Sequence, residues 1–575
     1  MATQDSQWKS NSRQQVLEAM RQNPNVSVLI VGAGVNGIGT FRDLALQGVD
    51  VLMVDKGDFC SGASAASSHM IHGGIRYLEN GEFRLVREAV KERNRLLQNA
   101  PHYVHPLATT IPIFSWFSGL LNAPLKFLGW LQRPGERGAL VIKIGLTLYD
   151  AYARDDAVVP RHNFNSRKAS LAQFPRLNPD IVATATYYDA AMPTPERICI
   201  DLIVDGEAAS PRVQALNYVR AVDAAGDTVA LRDEMSGEML SVRPRVVINA
   251  AGPWIDFANQ ALGQNTHFIG GTKGSHLVLD HPELRSAIHE HEFFFENDDG
   301  RIVLIYPLLD KVLVGTSDIP FADPDEARTT PEEIDYFLNM IRHVFPTIEA
   351  NRSHIVFQFA GVRPLPAGNA ASPGQISRDH SIQVIERGHG LRFPVYCLVG
   401  GKWTSFRAFA EEAADKTLAF LSITRRRSTA DLAIGGGKDY PHDKDEQWRW
   451  LQMLARRTGL PYSRLRLLFE RYGTRLEEIA DYLAAGNDEP LQHQPEYSQR
   501  EVAYLARQEK VVHLDDLILR RTLLCMLGQV TAGLVVELAE VVGEALKWPP
   551  ERQQAEIRRT FDLMATRHGV VLEMA

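Results

Sequence analysis

The sequence predicts an α/β protein that ends in an all-helical tail, and three patterns carry that prediction. An apolar run from Val26 to Val31 meets a glycine-rich turn, a helix-forming stretch and a second apolar run, Val49 to Val54. Two more buried-strand runs, 245–249 and 395–399, each end in glycines. Beyond about residue 440 the apolar residues recur at helical spacing.

The first pattern is a βαβ unit. Gly32, Gly34 and Gly37 fall between the strand and a helix that Gly48 closes. Gly32 permits the tight turn, Gly34 lets the backbone approach a pyrophosphate, and Gly37 lets helix and strand pack closely. The helix N-terminus adds free amides and a partial positive charge. Asp55 ends the second strand, where a carboxylate accepts hydrogen bonds from a ribose. The unit reads as a dinucleotide site and leaves NAD and FAD undecided.

The later strands run into Ala250-Ala-Gly252-Pro-Trp254 and Gly400-Gly401-Lys402. Ligands of open α/β sheets sit at the carboxyl ends of strands, so both turns are candidates for further cofactor contacts. Between them, 301–306, 312–314 and 354–359 read as antiparallel strands of a second, substrate-facing layer. The chain therefore leaves the nucleotide domain and returns, and a helix after Thr404 closes the fold. The expected division is a polar leader at 1–25, an interleaved pair of domains at 26–430 and a helical domain at 440–575.

Ile423 to Asp445, with Arg425-Arg-Arg427 and Gly435-Gly-Gly437, reads as a linker of low order with a solvated arginine face. After it, Leu465, Leu468, Phe469 and Tyr472 line one helix face, and Gly473 caps it. Thr474 and Glu477 form an expected capping box for a helix carrying Leu476, Ile479 and Leu483. The surroundings are not basic, so a helical bundle is favoured over a DNA reader.

Composition limits the classes. The chain has 575 residues, 45% hydrophobic and 23% charged, which fits a folded multi-domain protein and excludes wholesale disorder or a polytopic membrane protein. A net charge of -8 argues against nucleic-acid wrapping. Cys60, Cys199, Cys397 and Cys525 lie far apart, without metal or redox-motif spacing, which suits a reducing compartment. The first 25 residues lack the apolar core of a secretory signal. Ile111 to Leu131 is apolar but interrupted by Pro112, Gly119, Pro124, Lys126 and Gly129. Its Trp116, Phe117 and Trp130 suit a segment lying in lipid headgroups, and a buried hairpin of helices fits equally well.

The stretch richest in chemistry follows the second strand. Small residues and hydroxyls from Cys60 to Ser68 suit a loop crowding a phosphate or a flat ring. They give way to His72-Gly73-Gly74-Ile-Arg76-Tyr77. An imidazole there takes a hydroxyl proton while guanidinium and phenol hold an anion.

At these residues the sequence resembles the FAD-dependent glycerol-3-phosphate dehydrogenases of the aerobic bacterial and mitochondrial type. The resemblance rests on VGAGVNG at 31–37, SSHMIHGGIRYLENGEFRLVREAVKER at 67–93 and INAAGPW at 248–254. It continues through KGSH at 273–276, GTSD at 315–318, GVRPL at 361–365, SRDH at 377–380 and GGKWTSFR at 400–407, and the tail at 502–522 matches as well.

The resemblance implies a glutathione-reductase-like FAD-binding Rossmann domain, an antiparallel-sheet substrate (cap) domain and a C-terminal helical domain. It implies oxidation of sn-glycerol 3-phosphate to dihydroxyacetone phosphate. Electrons would pass to a membrane quinone from a protein attached peripherally to the inner face of the cytoplasmic membrane, and a homodimer stays open. Gly32, Gly34, Asn36, Gly37 and Asp55 would hold the adenosine half of FAD. Ser67, Ser68, Ala250, Gly252, Gly401, Lys402 and Thr404 would lie along the flavin half. His72, Arg76, Tyr77, Arg363 and Lys402 would line the substrate, with His72 as base and Arg363 as phosphate or hydroxyl ligand. A helix beginning after Gly401 would place positive dipole at the reduced flavin.

Three positions depart from the family. Lysine is usual where this chain has His69, an Asp-Asp-Ala-Arg run where it has Thr194-Pro-Glu-Arg197, and tyrosine where it has Phe406. These changes are expected to touch the cofactor loop and the substrate wall, so another polyol phosphate remains open. So do an oxidase that uses oxygen and a membrane-surface flavoprotein without turnover. A nicotinamide enzyme would leave the loop at 60–77 and the turns at 252 and 401 unexplained.

Overall fold

The computed structural model describes residues 13–75, 82–116, 138–152, 158–296, 302–368, 379–388 and 390–573. Arg76, Tyr77, Phe117 and Trp130 lie outside these residues.

Two sheets organise the first three quarters of the chain. The first runs Ser381–Ile385, Val395–Val399, Met239–Asn249, Asn25–Val31, Val51–Val54, Val213–Leu216, and its last five strands are mutually parallel. Its central strands are continuous apolar runs because both faces are covered. Helices Val35–Leu46, Pro195–Ala209 and Phe406–Leu421 cover one face. The other carries the hairpin Val219–Ala225 and Thr228–Asp233, with helices Arg13–Gln22 and Ile255–Ala261. Helix Arg13–Gln22 buries Val16, Leu17 and Met20, so this part of the expected polar leader is an amphipathic helix docked on the sheet.

The second sheet runs Ile319–Pro320, Thr272–Leu279, Lys311–Gly315, Ile302–Leu308, His291–Glu296, His105–Ile113, Ala183–Ala191, Met70–Ile71. Ile355–Arg363 also pairs with Thr272–Leu279, and Asn163–Ser166 with Ala183–Ala191. All its pairings are antiparallel except that of His291–Glu296 with His105–Ile113. One face packs on helices Pro282–Ile288 and Pro331–Val344. The chain leaves the first sheet after Val54 and again after Asn249, and returns each time, so both excursions build the second sheet. The predicted strands of the second layer are present.

Ile111 to Ile113 complete strand His105–Ile113, so the apolar stretch begins as sheet. Its continuation, 117–131, lies outside the described residues. Among the described residues no helix is long and apolar enough to cross a membrane.

The expected loose linker is instead a strap on the first domain. Arg425 donates to Asp43 and Asp415, and the Ile434 amide donates to Asn99 O at 2.8 Å. Past it, the bundle comprises Lys444–Thr458, Tyr462–Tyr472, Leu476–Ala484, Gln499–Gln508, Ala532–Leu546 and Pro550–His568. Leu465, Leu468, Phe469 and Tyr472 are buried together and Gly473 ends their helix at positive φ, as predicted. The capping box does not form. Thr474 Oγ1 donates to the Gly436 and Lys438 carbonyls, because the glycine strap passes where the helix would otherwise start.

Buried charges lock the bundle to the first domain. Arg520 and Arg521 both donate to Asp58 in the loop after Val51–Val54. Burial by itself would raise that carboxyl, but the two guanidiniums hold it well below the usual range.

Candidate active site

The glycine turn is built as its spacing demands. A Cβ at Gly37 would lie 2.0 Å from the Gly32 carbonyl oxygen, and one at Gly32 would lie 2.7 Å from the Ala250 backbone. The Ala250 amide donates to Val31 O, placing the second turn beside the first. Asn36 joins a third, since its Nδ2 donates to Gly400 O at 3.3 Å and a Cβ at Gly401 would come 2.9 Å from that nitrogen. Gly32, Gly252, Gly400 and Gly401 all have positive φ. Asn36 Oδ1 is buried without a partner. A bare-backbone cradle with an orphaned acceptor fits a dinucleotide cofactor.

Asp55 accepts from the amides of Ala33, at 2.6 Å, and Gly57, at 2.9 Å. Burial pushes its carboxyl up to about 6 against these bonds. It thus orders the glycine loop and stands at the strand end where a ribose is expected.

The loop from Cys60 onward threads between the two sheets. Ser64 Oγ accepts the Val35 amide at 3.0 Å, at the N-terminus of the glycine helix. Trp403 Nε1 donates to Ser64 O at 2.8 Å, and a Cβ at Gly361 would meet Ala66 Cβ at 2.4 Å. Ser67 Oγ accepts the His69 amide, whereas Ser68 Oγ bonds His276 Nε2 at 3.0 Å. Thr404 Oγ1 donates to His72 O at 3.0 Å. The structure thus puts Ser68 on His276 and ties His72 to Thr404, in the turn that also contains Gly401 and Lys402. The helix beyond them starts at Phe406, after Thr404 as expected, and so does not begin directly at Gly401.

Arg363 ends strand Ile355–Arg363 on the same side. Its guanidinium donates to Thr316 Oγ1 at 2.8 Å, Ser317 O at 3.0 Å and Asp318 Oδ1 at 3.1 Å, so the GTSD segment orients it. Its side chain stays 25% exposed, enough for an anion to reach it.

The sequence reading missed His276. Its ring stacks on Phe359 at 4.8 Å, and burial together with Arg363 pushes its pKa well below the ordinary value. It is therefore a neutral imidazole, with Nδ1 unpartnered. The KGSH motif contained the signal, but alternation within the strand had to be known. Lys273 of that motif points away and donates to Glu333 at the start of helix Pro331–Val344.

Of the departures, His69 lies in the cofactor loop as expected, next to Phe359, and the other two fall elsewhere. His69 is buried, its Nδ1 against Pro193 O at 2.9 Å, and burial pushes it down to about 4. Arg197 pairs with Glu509 of the bundle and Phe406 packs on Gly39, so neither lines the substrate wall. Glu196, buried beside Arg197, is pushed up to about 8.

A parallel nucleotide sheet, a glycine cradle and a roofing antiparallel sheet with an anchored arginine define a dinucleotide-dependent oxidoreductase. Comparison with known proteins specifies it. Residues 27–415 match the FAD dependent oxidoreductase family, and 427–553 match the C-terminal domain of alpha-glycerophosphate oxidase. A glycerol-3-phosphate dehydrogenase of Synechocystis is 31% identical over 94% of this chain and 97% of its own. The aerobic glycerol-3-phosphate dehydrogenase of Escherichia coli is 29% identical over 86% of this chain and 93% of its own. The FAD complex of the Bacillus halodurans glycerol-3-phosphate dehydrogenase shares the fold, with a TM-score of 0.73 at 21% identity, covering 96% of this chain and 97% of that one. The chain belongs to the FAD-dependent glycerol-3-phosphate dehydrogenase family.

Proposed function

We propose that this protein oxidises sn-glycerol 3-phosphate to dihydroxyacetone phosphate and passes the electrons to a membrane quinone. The observation that carries the reading is Arg363, fixed by Thr316, Ser317 and Asp318 and 25% exposed, on the sheet that roofs the glycine cradle. A guanidinium so oriented suits a phosphate dianion.

The cradle of Gly32, Gly34, Asn36, Gly37, Ala250, Gly252 and Gly401 would hold FAD, which when bound supplies a two-electron acceptor. His72, on the loop between cradle and roof, would take the proton of the substrate's secondary hydroxyl. Arg363 would hold the phosphate and so orient the reacting carbon. His276, neutral and next to Arg363, would donate or accept a hydrogen bond without competing for the anion. Arg76, Tyr77 and Lys402 complete the substrate set by resemblance.

Peripheral membrane attachment is part of the same reading. Trp116 is 49% exposed, and Leu140, Ile144 and Leu148 form an exposed apolar stripe along helix Ala139–Tyr152.

An anaerobic visible spectrum before and after adding sn-glycerol 3-phosphate tests the proposal. Bleaching of the flavin band is expected. A flavin band unchanged by this substrate but bleached by another polyol phosphate would reassign the substrate.

A further inference from the structure

A buried ion pair outside the predicted site points at the peptide group that follows His72. Asp189 lies on strand Ala183–Ala191 and is 1% exposed. Its Oδ1 accepts three hydrogen bonds: from the Gly73 amide at 2.9 Å, Tyr149 Oη at 2.7 Å and Arg93 Nη1 at 3.2 Å. Arg93, on helix Phe83–Asn99, is fully buried. Its Nη1 also donates to Tyr149 Oη at 2.9 Å and Tyr188 O at 2.8 Å, while Nε and Nη2 donate to Asn94 Oδ1.

Burying a carboxylate and a guanidinium costs several kcal/mol per ion before their attraction is counted, and packed apolar side chains often stabilise as well. Stability alone therefore does not account for the pair. Its geometry does, because the other bonds of Asp189 Oδ1 and Arg93 Nη1 end on main chain or on the tyrosine that packs against Gly73, while Asn94 Oδ1 holds the remaining Arg93 nitrogens. A Cβ at Gly73 would lie 1.8 Å from Tyr149 Oη, so the tyrosine fills the space a side chain there would need. The carbonyl of the same His72–Gly73 peptide accepts from Thr404 Oγ1 at 3.0 Å. A peptide unit is planar, so holding its oxygen from one domain and its nitrogen from the other stops the plane from turning. With Ile71 on its other side paired to Ala190 in the sheet, this holds the Cα–Cβ direction of His72.

The geometry points to Asp189, braced by Arg93 and Tyr149, as the positioning residue that holds the His72 imidazole at the angle proton abstraction requires. This rests on the reading of His72 as the base. Asp189 touches neither substrate nor cofactor in this role and acts only through the peptide. Tyr149 remains a neutral phenol, since burial pushes its pKa well above the ordinary value, and so remains a donor to Asp189.

The test measures anaerobic flavin reduction by sn-glycerol 3-phosphate in Asp189→Asn, Tyr149→Phe, His72→Asn and the two double variants with His72→Asn. Misorientation of a reacting group costs about 100-fold, so Asp189→Asn should slow reduction by about that factor, and Tyr149→Phe by about tenfold. The substrate concentration for half-maximal rate and the flavin content should hold. In the His72→Asn background neither change should slow the reaction further, because both act through the missing group. Hydrogen exchange of the 70–75 amides should accelerate in Asp189→Asn. Equal slowing in both backgrounds, or unchanged exchange at 70–75, overturns the positioning role. Wild-type reduction by His72→Asn instead overturns His72 as base. Should Asp189→Asn fail to fold, Tyr149→Phe decides by the same comparison.

Discussion

Asp189 and Thr404 grip opposite ends of a single peptide bond. The carboxylate takes the Gly73 amide at 2.9 Å and the hydroxyl donates to the His72 carbonyl at 3.0 Å. Asp189 belongs to the roofing sheet and Thr404 to the turn that ends the nucleotide sheet. The loop carrying His72 is therefore registered against both, and the distance between His72 and the glycine cradle is set by the packing of the two sheets rather than by the loop.

Arg363→Ala should leave flavin bound, since the cradle lies in the other sheet. Losing a charge-assisted contact to a desolvated anion costs about 2 kcal/mol or more, which raises the substrate requirement by about 30-fold. Arg363→Lys should recover part of this, as the charge returns without the fork. Steady-state kinetics over a range of substrate concentrations read both. Unchanged kinetics in the alanine variant would remove Arg363 from the site.

Gly37→Ala should abolish flavin binding. The added methyl would sit 2.0 Å from a backbone oxygen that belongs to the turn itself, so neither partner can rotate away. The absorbance ratio of flavin to protein in the purified variant measures this, and a normal ratio would contradict the cradle.

Glu292 is buried on strand His291–Glu296, with Oε2 accepting from Thr109 Oγ1 at 2.9 Å and Oε1 unpartnered. Burial raises its pKa to about 8 from 4.5, outweighing the bond from Thr109. A raised carboxyl stabilises the fold only while protonated, so its contribution is present at low pH and is lost as pH climbs from about 4.5 towards 8. Glu292→Gln removes the titration. Its melting temperature should fall less than that of the wild type between pH 6 and 9, and parallel curves would show that Glu292 does not titrate in that window.

Ile144→Asp combined with Leu148→Asp should release the protein from vesicles of anionic lipid. Both side chains lie on the exposed stripe, so the fold loses no core contact, while each charge opposes insertion into the interface. Co-sedimentation measures the loss. Undiminished binding would place the lipid contact elsewhere.

Much of this protein was legible in its sequence. The glycine spacing at 32–37, the strand runs at 245–249 and 395–399 and the helical periodicity after 460 are local patterns, set by backbone geometry within a few residues. They located the nucleotide sheet, the cradle, the second layer and the helical tail, and the motif series brought in His72, Arg363 and the substrate class. Sequence reasoning failed where the governing contact was distant. Thr474 looked like a helix cap until the 435–437 strap took its hydroxyl, and the arginine run looked solvated until Asp43 lay opposite it. His276, Asp189, Arg93 and Tyr149 were overlooked because each, read alone, is an ordinary strand or helix residue. They came together only when the chain left the nucleotide sheet twice and closed the second sheet over it. Local pattern determined which elements form. The packing of two interleaved sheets decided which side chains share a buried space and therefore which charges pair.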